Sequence, residues 1–289
     1  MNKNIYYYCH TGHRIGLDRF HRAVAIINAL PELEITLLTS DYRIAQVAHT
    51  YGIKKAVGVD VVRNIPQIAS SGDILLFDSA EANPGMLADM QTYFSKLIRI
   101  NDDPQDQVYP NEYLINPYIK DDRCCNALAI DTKFFEKTTK TKEKVLFFGD
   151  DDYEQDLLKV SEKLSDFNFE LLLGFYFFID YEDKLKAHFS DLVEPEEYED
   201  IVKESSLFIT SSPMATLQAL ASKSNPIYIQ REDYIQDFIP LMTELNIPCF
   251  EMLDLTKFAT FMNEKPSINY KNLTSNVTEI ASFIKKVIN

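Results

Sequence analysis

Short apolar runs alternate with helix-patterned segments along the whole chain, and this alternation is what most limits the fold. "KNIYYYCH" (3–10), "EITLLTS" (34–40), "DILLFDS" (73–79) and "KLIRIND" (96–102) read as buried strands. Between them, "RFHRAVAIINAL", "DYRIAQVAHTYG" and "NPGMLADMQTYF" carry apolar residues at helical spacing. Near-continuous apolar strands separated by helices specify a parallel sheet covered on both faces, with right-handed crossovers.

The pattern then pauses and restarts. "DTKFFEKTTKTKE" (131–143) is polar and lysine-rich, the composition of a linker. "KVLFFGD" (144–150) opens a second series of strands, with "NFELLLGFYFF" (168–178), "HFSDLVEP", "SLFITSS", "NPIYIQ" and "PCFEM". The helices between them are "YEQDLLKVSEKL" (153–164), "EEYEDIVKES", "MATLQALASK" and "YIQDFIPLMTELN", and "NVTEIASFIKKVI" (276–288) closes the chain. The expected architecture is therefore α/β, with two Rossmann-like doubly wound domains facing a cleft. They cover 1–130 and 144–289, joined by the linker at 131–143. Sheets of this kind bind ligands at the carboxyl ends of their strands, and paired domains place ligands in the cleft.

With 46% hydrophobic and 25% charged residues, the chain has the composition of a globular protein. A net charge of −15 argues against nucleic acid or an anionic membrane surface as partner. The longest apolar stretch, "LLLGFYFFI" (171–179), falls short of the roughly 20 residues a spanning helix needs, so no transmembrane segment is expected. No signal peptide is apparent, and Cys9, Cys124, Cys125 and Cys249 lack C-x-x-C spacing. The expected setting is cytoplasmic, with reduced thiols. The tyrosines and phenylalanines, 16 and 19 of them, are scattered through strands and helices and read as core.

Three strand-to-helix turns carry the candidate chemistry. The first, "GHRIGLDRFHR" (12–22), is basic and punctuated by glycine. His13 lies in the turn, and His10 and His21 flank it. Asp18 is either a base or a helix cap. Arg19 and Arg22 can bind a diphosphate or a carboxylate but cannot act as bases. The three histidines lack the H-E-x-x-H or cysteine support of a zinc site, so no metal is expected. The second turn, "FFGDDDYEQ", keeps Gly149 and follows it with Asp150, Asp151 and Asp152. These carboxylates suit a helix N-terminus or a cation. The third, "TSSPMATLQAL", offers Thr210, Ser211 and Ser212 beside a helix N-terminus, which is a pyrophosphate seat. Asp78, at the end of its strand, faces a ligand or caps the next helix. Asp102, Asp103 and Asn116 occupy comparable strand ends.

The order of these motifs resembles the GT-B superfamily. "EEYEDIVKESSLFITSSPMATLQALASKSNPIYIQREDYIQDF" follows the order of the peptidoglycan GlcNAc-transferase type. Along nearly the whole chain, "IGLDRFHRAVAI", "DILLFDSA", "INDDPQDQVYPNEYLINPYI" and "RCCNALAIDTKFF" resemble the UDP-sugar hydrolases of the pseudaminic acid pathway. In those hydrolases a histidine of the first turn activates water. Here Arg19 stands at that position, Asp18 at the preceding glycine, and Gly16 and Arg22 match. The resemblance implies a nucleotide-sugar ligand, UDP-linked, with a possible sugar acceptor and no cofactor. It puts Gly149, Ser211 and Ser212 at the diphosphate, Gln218 where a glutamate often holds the ribose, and Gln236 near the donor sugar.

Two readings follow for the chain. One is an enzyme of a surface-glycan pathway that transfers the sugar or hydrolyses the sugar–nucleotide bond, with Asp18, His13 or Asp78 as base and Arg19 or Arg22 at the departing diphosphate. The other is a catalytically inactive binding or assembly protein that kept the fold. A third possibility, an unrelated α/β enzyme, finds no support from a Walker loop, a G-x-G-x-x-G turn or a G-x-S-x-G elbow.

Overall fold

The computed structural model describes residues 3–234, 236–252, 255–264 and 266–289. The chain forms two compact units, Met1–Thr132 with Ser275–Asn289, and Lys133–Thr274.

The first unit is built on strands β1 (Ile5–Cys9), β2 (Ile35–Thr39), β3 (Ala56–Gly58), β4 (Ile74–Asp78), β5 (Lys96–Ile100), β6 (Tyr113–Ile115) and β7 (Cys124–Cys125). They pair in parallel in the order β3-β2-β1-β4-β5-β6-β7. Helices α1 (Asp18–Asn28), α2 (Tyr42–Val47) and α3 (Pro84–Tyr93) connect the early strands. All five residues of β1 and of β4 are buried, as a sheet covered on both faces requires. The winding reverses between β1 and β4. β2 lies on one side of β1 and β4 on the other, so the loops after β1 and β4 leave the sheet in opposite directions. This is the switch point where such sheets open a crevice.

The second unit repeats the plan with β8 (Lys142–Phe147), α4 (Asp156–Leu164), β9 (Glu170–Leu172), α5 (Ile179–Leu185), β10 (Asp191–Val193), α6 (Tyr198–Glu204), β11 (Ser205–Thr210), α7 (Pro213–Ala221), β12 (Asn225–Gln230), α8 (Ile239–Glu244), β13 (Cys249–Glu251) and α9 (Leu255–Glu264). The parallel order is β10-β9-β8-β11-β12-β13, with its switch point between β8 and β11. Leu146, Phe148, Leu171, Ile209 and Ile227 join Leu157, Tyr181 and Phe258 in one apolar cluster. Two doubly wound parallel sheets in succession are thus observed as expected. Among the described residues no helix is long and apolar enough to cross a membrane.

Four details differ from the sequence-based expectation. The closing helix α10 (Val277–Ile288) belongs to the first unit, whereas the second domain was expected to run to residue 289. Val277, Ile280, Ala281, Ile284 and Val287 are buried along one face of α10, which packs on α1 and β7, and Lys285 pairs with Glu32. The run 168–178 forms a strand only over Glu170–Leu172. Beyond it, a Cβ on Gly174 would fall 2.5 Å from the Gly149 carbonyl oxygen and 2.6 Å from that of Asp150. The chain turns there against the loop after β8, and the Tyr176 amide donates to the Asp150 carbonyl at 2.8 Å. The helix expected over 234–246 is shortened to α8, and Ile235 lies outside the described residues.

The fourth difference is the linker. Thr132–Phe135 is a 3-10 turn with Phe134 buried, and Lys133 pairs with Glu199 at 2.5 Å. Lys140 Nζ donates to the Lys203 carbonyl (2.6 Å), the Ser222 carbonyl (2.7 Å) and Ser224 Oγ (3.0 Å). Both carbonyls are at helix ends, where backbone acceptors lack intrahelical partners. The lysines that suggested a solvated linker instead fasten the segment to the second unit. Lys140→Met should lower the free energy of unfolding by about 2 kcal/mol. A urea titration should show this as a lower midpoint at unchanged slope; an unmoved midpoint would mean that the segment is held by other contacts.

Candidate functional site

At the switch point of the first unit, the turn after β1 is closed on itself. Gly16 N donates to the Gly12 carbonyl at 3.0 Å and Ile15 N to the same carbonyl at 3.1 Å. Gly16 has φ 72°, a conformation in which a Cβ is disfavoured. The base of the turn is tied to the end of β2. Thr11 Oγ1 lies 2.6 Å from Thr39 Oγ1, and Thr11 N donates to Ser40 Oγ at 2.9 Å.

Beneath this turn lies a buried ion-pair cluster. Arg22 donates from Nε to Asp78 Oδ2 at 2.8 Å and from Nη2 to Asp78 Oδ1 at 2.7 Å, a bidentate pair. Its third nitrogen, Nη1, bonds Asp102. Asp78 is 0% exposed and also accepts from Tyr7 Oη at 3.1 Å. Burial raises the Tyr7 phenol well above its ordinary pKa, and the Asp78 carboxylate adds to the shift, so Tyr7 remains a donor.

This cluster changes the roles expected of two residues. Asp78, expected as a base or a helix cap, is an anchor for arginine, and α3 is capped by Asn83, whose Oδ1 accepts from Met86 N. Arg22, expected at a diphosphate, is committed to two carboxylates. Arg19 is more open, with a side chain 28% exposed and its Nε 3.6 Å from Asp78. Asp18 is the first residue of α1 and so complements the helix dipole; the cap position is Leu17, which makes no side-chain cap bond.

The histidines separate into three environments. His21 is buried against the rings of Phe20 and Tyr51. His13 is exposed, with Arg43 Nη2 3.5 Å from its Nε2. His10 directly follows β1 and places Nδ1 3.7 Å from Glu81 Oε2. Glu81, in the loop after β4, was not anticipated. A carboxylate three residues beyond an apolar strand was the available signal. Of the other strand-end residues, Asn116 is fully buried and organises the loops, donating to Asn101 Oδ1 (2.7 Å) and the Asp103 carbonyl (2.8 Å).

At the switch point of the second unit, the loops after β8 and β11 come together, with Ser211 N donating to the Phe147 carbonyl at 3.3 Å. Gly149 has φ 120°, and a Cβ there would meet Tyr234 Oη at 3.5 Å and Arg231 Nη1 at 3.6 Å. Asp150, Asp151 and Asp152 are all buried. Asp152 accepts from the amides of Asp156 (2.9 Å) and Leu157 (3.0 Å) at the start of α4, and from the Tyr181 hydroxyl. Burial raises its carboxyl pKa, against the pull of these donors. The capping role expected of this acidic run thus falls to Asp152. Among the described residues, no group of three His, Cys, Asp or Glu side chains is placed to hold a metal ion.

Arg231, which follows β12, was also missed. It donates to the Asp151 carbonyl at 2.6 Å, pairs with Asp233 through Nε (2.8 Å) and Nη2 (2.6 Å), and lies 4.5 Å over the Phe148 ring. It thereby braces the loop after β8. On the other side of the switch point, Ser212 caps α7 by accepting from Ala215 N at 2.9 Å. Ser211 is 1% exposed, and among the described residues its Oγ has no hydrogen-bond partner. A buried hydroxyl without a partner is costly and calls for an explanation. Gln218, within α7, accepts from Tyr198 Oη at 2.5 Å. Gln236 is half-buried, and its carbonyl accepts from Gln230 Nε2 at 3.3 Å. The second unit thus brings Gly149, Ser211 and Ser212 to one switch point.

The chain matches no protein-family model and no curated protein sequence. Solved structures do resemble it along its whole length. The S. aureus MnaA–UDP complex aligns with a TM-score of 0.66 at 12% identity, covering 100% of this chain and 97% of that one. The UDP-GlcNAc 2-epimerase of Methanocaldococcus jannaschii, in complex with UDP-GlcNAc and UDP, aligns at 0.59 and 11% identity over 98% and 100% of the two chains. MurG of Acinetobacter baumannii aligns at 0.55 and 10% over 98% and 99%. These likenesses establish the fold, which is GT-B.

Proposed function

We propose that this chain binds a UDP-linked sugar at the β8/β11 switch point and processes it, by transferring the sugar to an acceptor or by hydrolysing the sugar–nucleotide bond. The observation that carries the reading is the Ser211 hydroxyl, buried and, among the described residues, without a hydrogen-bond partner at the start of the nine-residue helix α7. A diphosphate oxygen there would accept from Ser211 Oγ and would be favoured by the positive end of the helix dipole. Gly149 leaves the opposite loop free of a side chain where a phosphate would approach. Gln218 and Gln236 would serve the ribose and the sugar. The fold neighbours that hold UDP or UDP-GlcNAc support the choice of nucleotide. A surface-glycan pathway, and a reaction like that of the pseudaminic acid hydrolases, remain the finer form of the proposal.

A second reading, a binding protein without catalysis, draws on one observation. The first turn carries Arg19 where the resembled hydrolases have their histidine, and the Arg22–Asp78 pair fills the space below it. Calorimetry with UDP, joined to nucleotide release from a panel of UDP-sugars with and without acceptor alcohols, separates the readings. Release identifies an enzyme, and binding without release a binding protein. Ser211→Val should weaken UDP binding about tenfold or more, the worth of a charge-assisted hydrogen bond, at unchanged thermal stability. If neither UDP nor any UDP-sugar binds at millimolar concentration, the proposal fails.

A further inference from the structure

A diphosphate is a multiply charged anion, and the loop that borders its proposed seat is acidic. Asp150, Asp151 and Asp152 are all buried directly after Gly149, in a chain of net charge −15. Carboxylates beside a diphosphate repel it unless a cation intervenes. The cationic side chain that lies against this loop is Arg231. Its Nη1 is 3.6 Å from where a Cβ on Gly149 would stand. The same nitrogen reaches the Phe148 carbonyl at 3.5 Å, one residue along from the Phe147 carbonyl that accepts from Ser211 N. Arg231 and Ser211 thus attach to successive carbonyls of one loop, and both belong to the second unit.

The partners of Arg231 are unequal. Nη1 donates to the Asp151 carbonyl at 2.6 Å, while Nε and Nη2 donate to the Asp233 carboxylate at 2.8 and 2.6 Å. The second N–H of Nη2 has no partner among the described residues. The guanidinium is 5% exposed and the Asp233 side chain 37%. A carboxylate that open is rehydrated at little cost when it lets go, whereas the buried guanidinium has to keep an anionic partner.

We propose that Arg231 is the residue that meets the diphosphate, and that Asp233 is a competing carboxylate that occupies the guanidinium until a nucleoside diphosphate displaces it. The assignment rests on the nucleotide-sugar reading above. A carboxylate and a phosphate present a similar pair of oxygens to the fork of an arginine, so one can replace the other. The phosphate takes over Nε and Nη2, and Asp233 turns to water. Nη1 keeps the Asp151 carbonyl, so the loop after β8 stays braced throughout. The exchange favours nucleoside diphosphates over monophosphates, because the further phosphate brings the charge that outcompetes Asp233.

The two partners should respond with opposite signs. Asp233→Asn should bind UDP about threefold more tightly than the unsubstituted chain, since the ligand no longer displaces a partly exposed ion pair. Arg231→Gln should bind UDP about tenfold or more weakly, the loss of charge-assisted hydrogen bonds, and its preference for UDP over UMP should shrink. Calorimetric titration of the three proteins with UDP and with UMP reads both effects. Asp233→Asn leaves the guanidinium and its brace in place, so it reports even where Arg231→Gln does not fold. An arginine that served only as a brace would be loosened by Asp233→Asn, and UDP binding would weaken or stay the same. Either result overturns the assignment alone, as does an Arg231→Gln variant that binds UDP like the unsubstituted chain. Failure of the unsubstituted chain to bind UDP removes the nucleotide-sugar reading, and the assignment falls with it.

Discussion

Arg22→Met should destabilise the protein by about 3–5 kcal/mol, the usual cost of breaking a buried ion pair from one side. The substitution removes both hydrogen bonds of the bidentate pair and leaves the fully buried Asp78 with Tyr7 and a more distant Arg19. The apparent melting temperature should fall by about 10 °C, since a domain of this size loses a few degrees per kcal/mol. Arg19→Met should cost under about 1 kcal/mol, because that pair is partly open to solvent and longer. Removing the carboxylate's charge as well, in Arg22→Met with Asp78→Asn, should recover at least half of the loss, since no unpaired charge is then left inside. Thermal and urea unfolding of the four proteins checks this. Equal, small losses for Arg22→Met and Arg19→Met would show that the cluster is not what holds the first turn down.

Gly174→Ala should also destabilise the protein, less than Arg22→Met and for a steric reason. The new methyl would lie 2.5–2.7 Å from backbone atoms of Gly149 and Asp150. Backbone cannot swing aside as the end of a long side chain can. The loop after β8 must move, and overpacking of this kind costs about 1–3 kcal/mol. The same loop borders Ser211, so UDP binding should drop by more than in Ser211→Val, and both losses should appear together. Calorimetric titration with UDP beside a thermal melt tests the pairing. An alanine variant that melts like the parent and binds UDP equally would mean that the two loops are not in the close contact described.

Much of the fold was legible because the central strands are buried on both faces. β1, β4, β8 and β11 are apolar runs flanked by helical periods, and no other element type suits such runs in that order. What stayed hidden was set by contacts distant in sequence. Nothing local tells that Arg22 is bound to Asp78, 56 residues away, so an arginine at a ligand and an arginine on a buried anchor look alike. The run 168–178 is hydrophobic enough for a long strand, and only the approach of a second backbone at Gly174 ends it. The acidic triplet was readable as a cap, since Asp152 lies just ahead of α4. His10 stood out as a histidine, but its partner Glu81 comes from another loop. The lysines of 131–143 matched a linker in composition, while the acceptors that fasten Lys140 belong to α6, α7 and the loop beyond them.

The position of α10 bears on the order in which the protein can fold. The second unit is inserted within the first, whose helix α10 comes after the second unit in the sequence. A nascent chain that has released all seven strands of the first sheet still lacks the cover for α1 and β7. Val277, Ile280, Ile284 and Val287 arrive only after the second unit has been made. The second unit can therefore complete its core during synthesis, while the first waits for its closing helix. Deleting residues 275–289 or blocking their docking would injure the first unit, leaving apolar surface on α1 open to association with other chains.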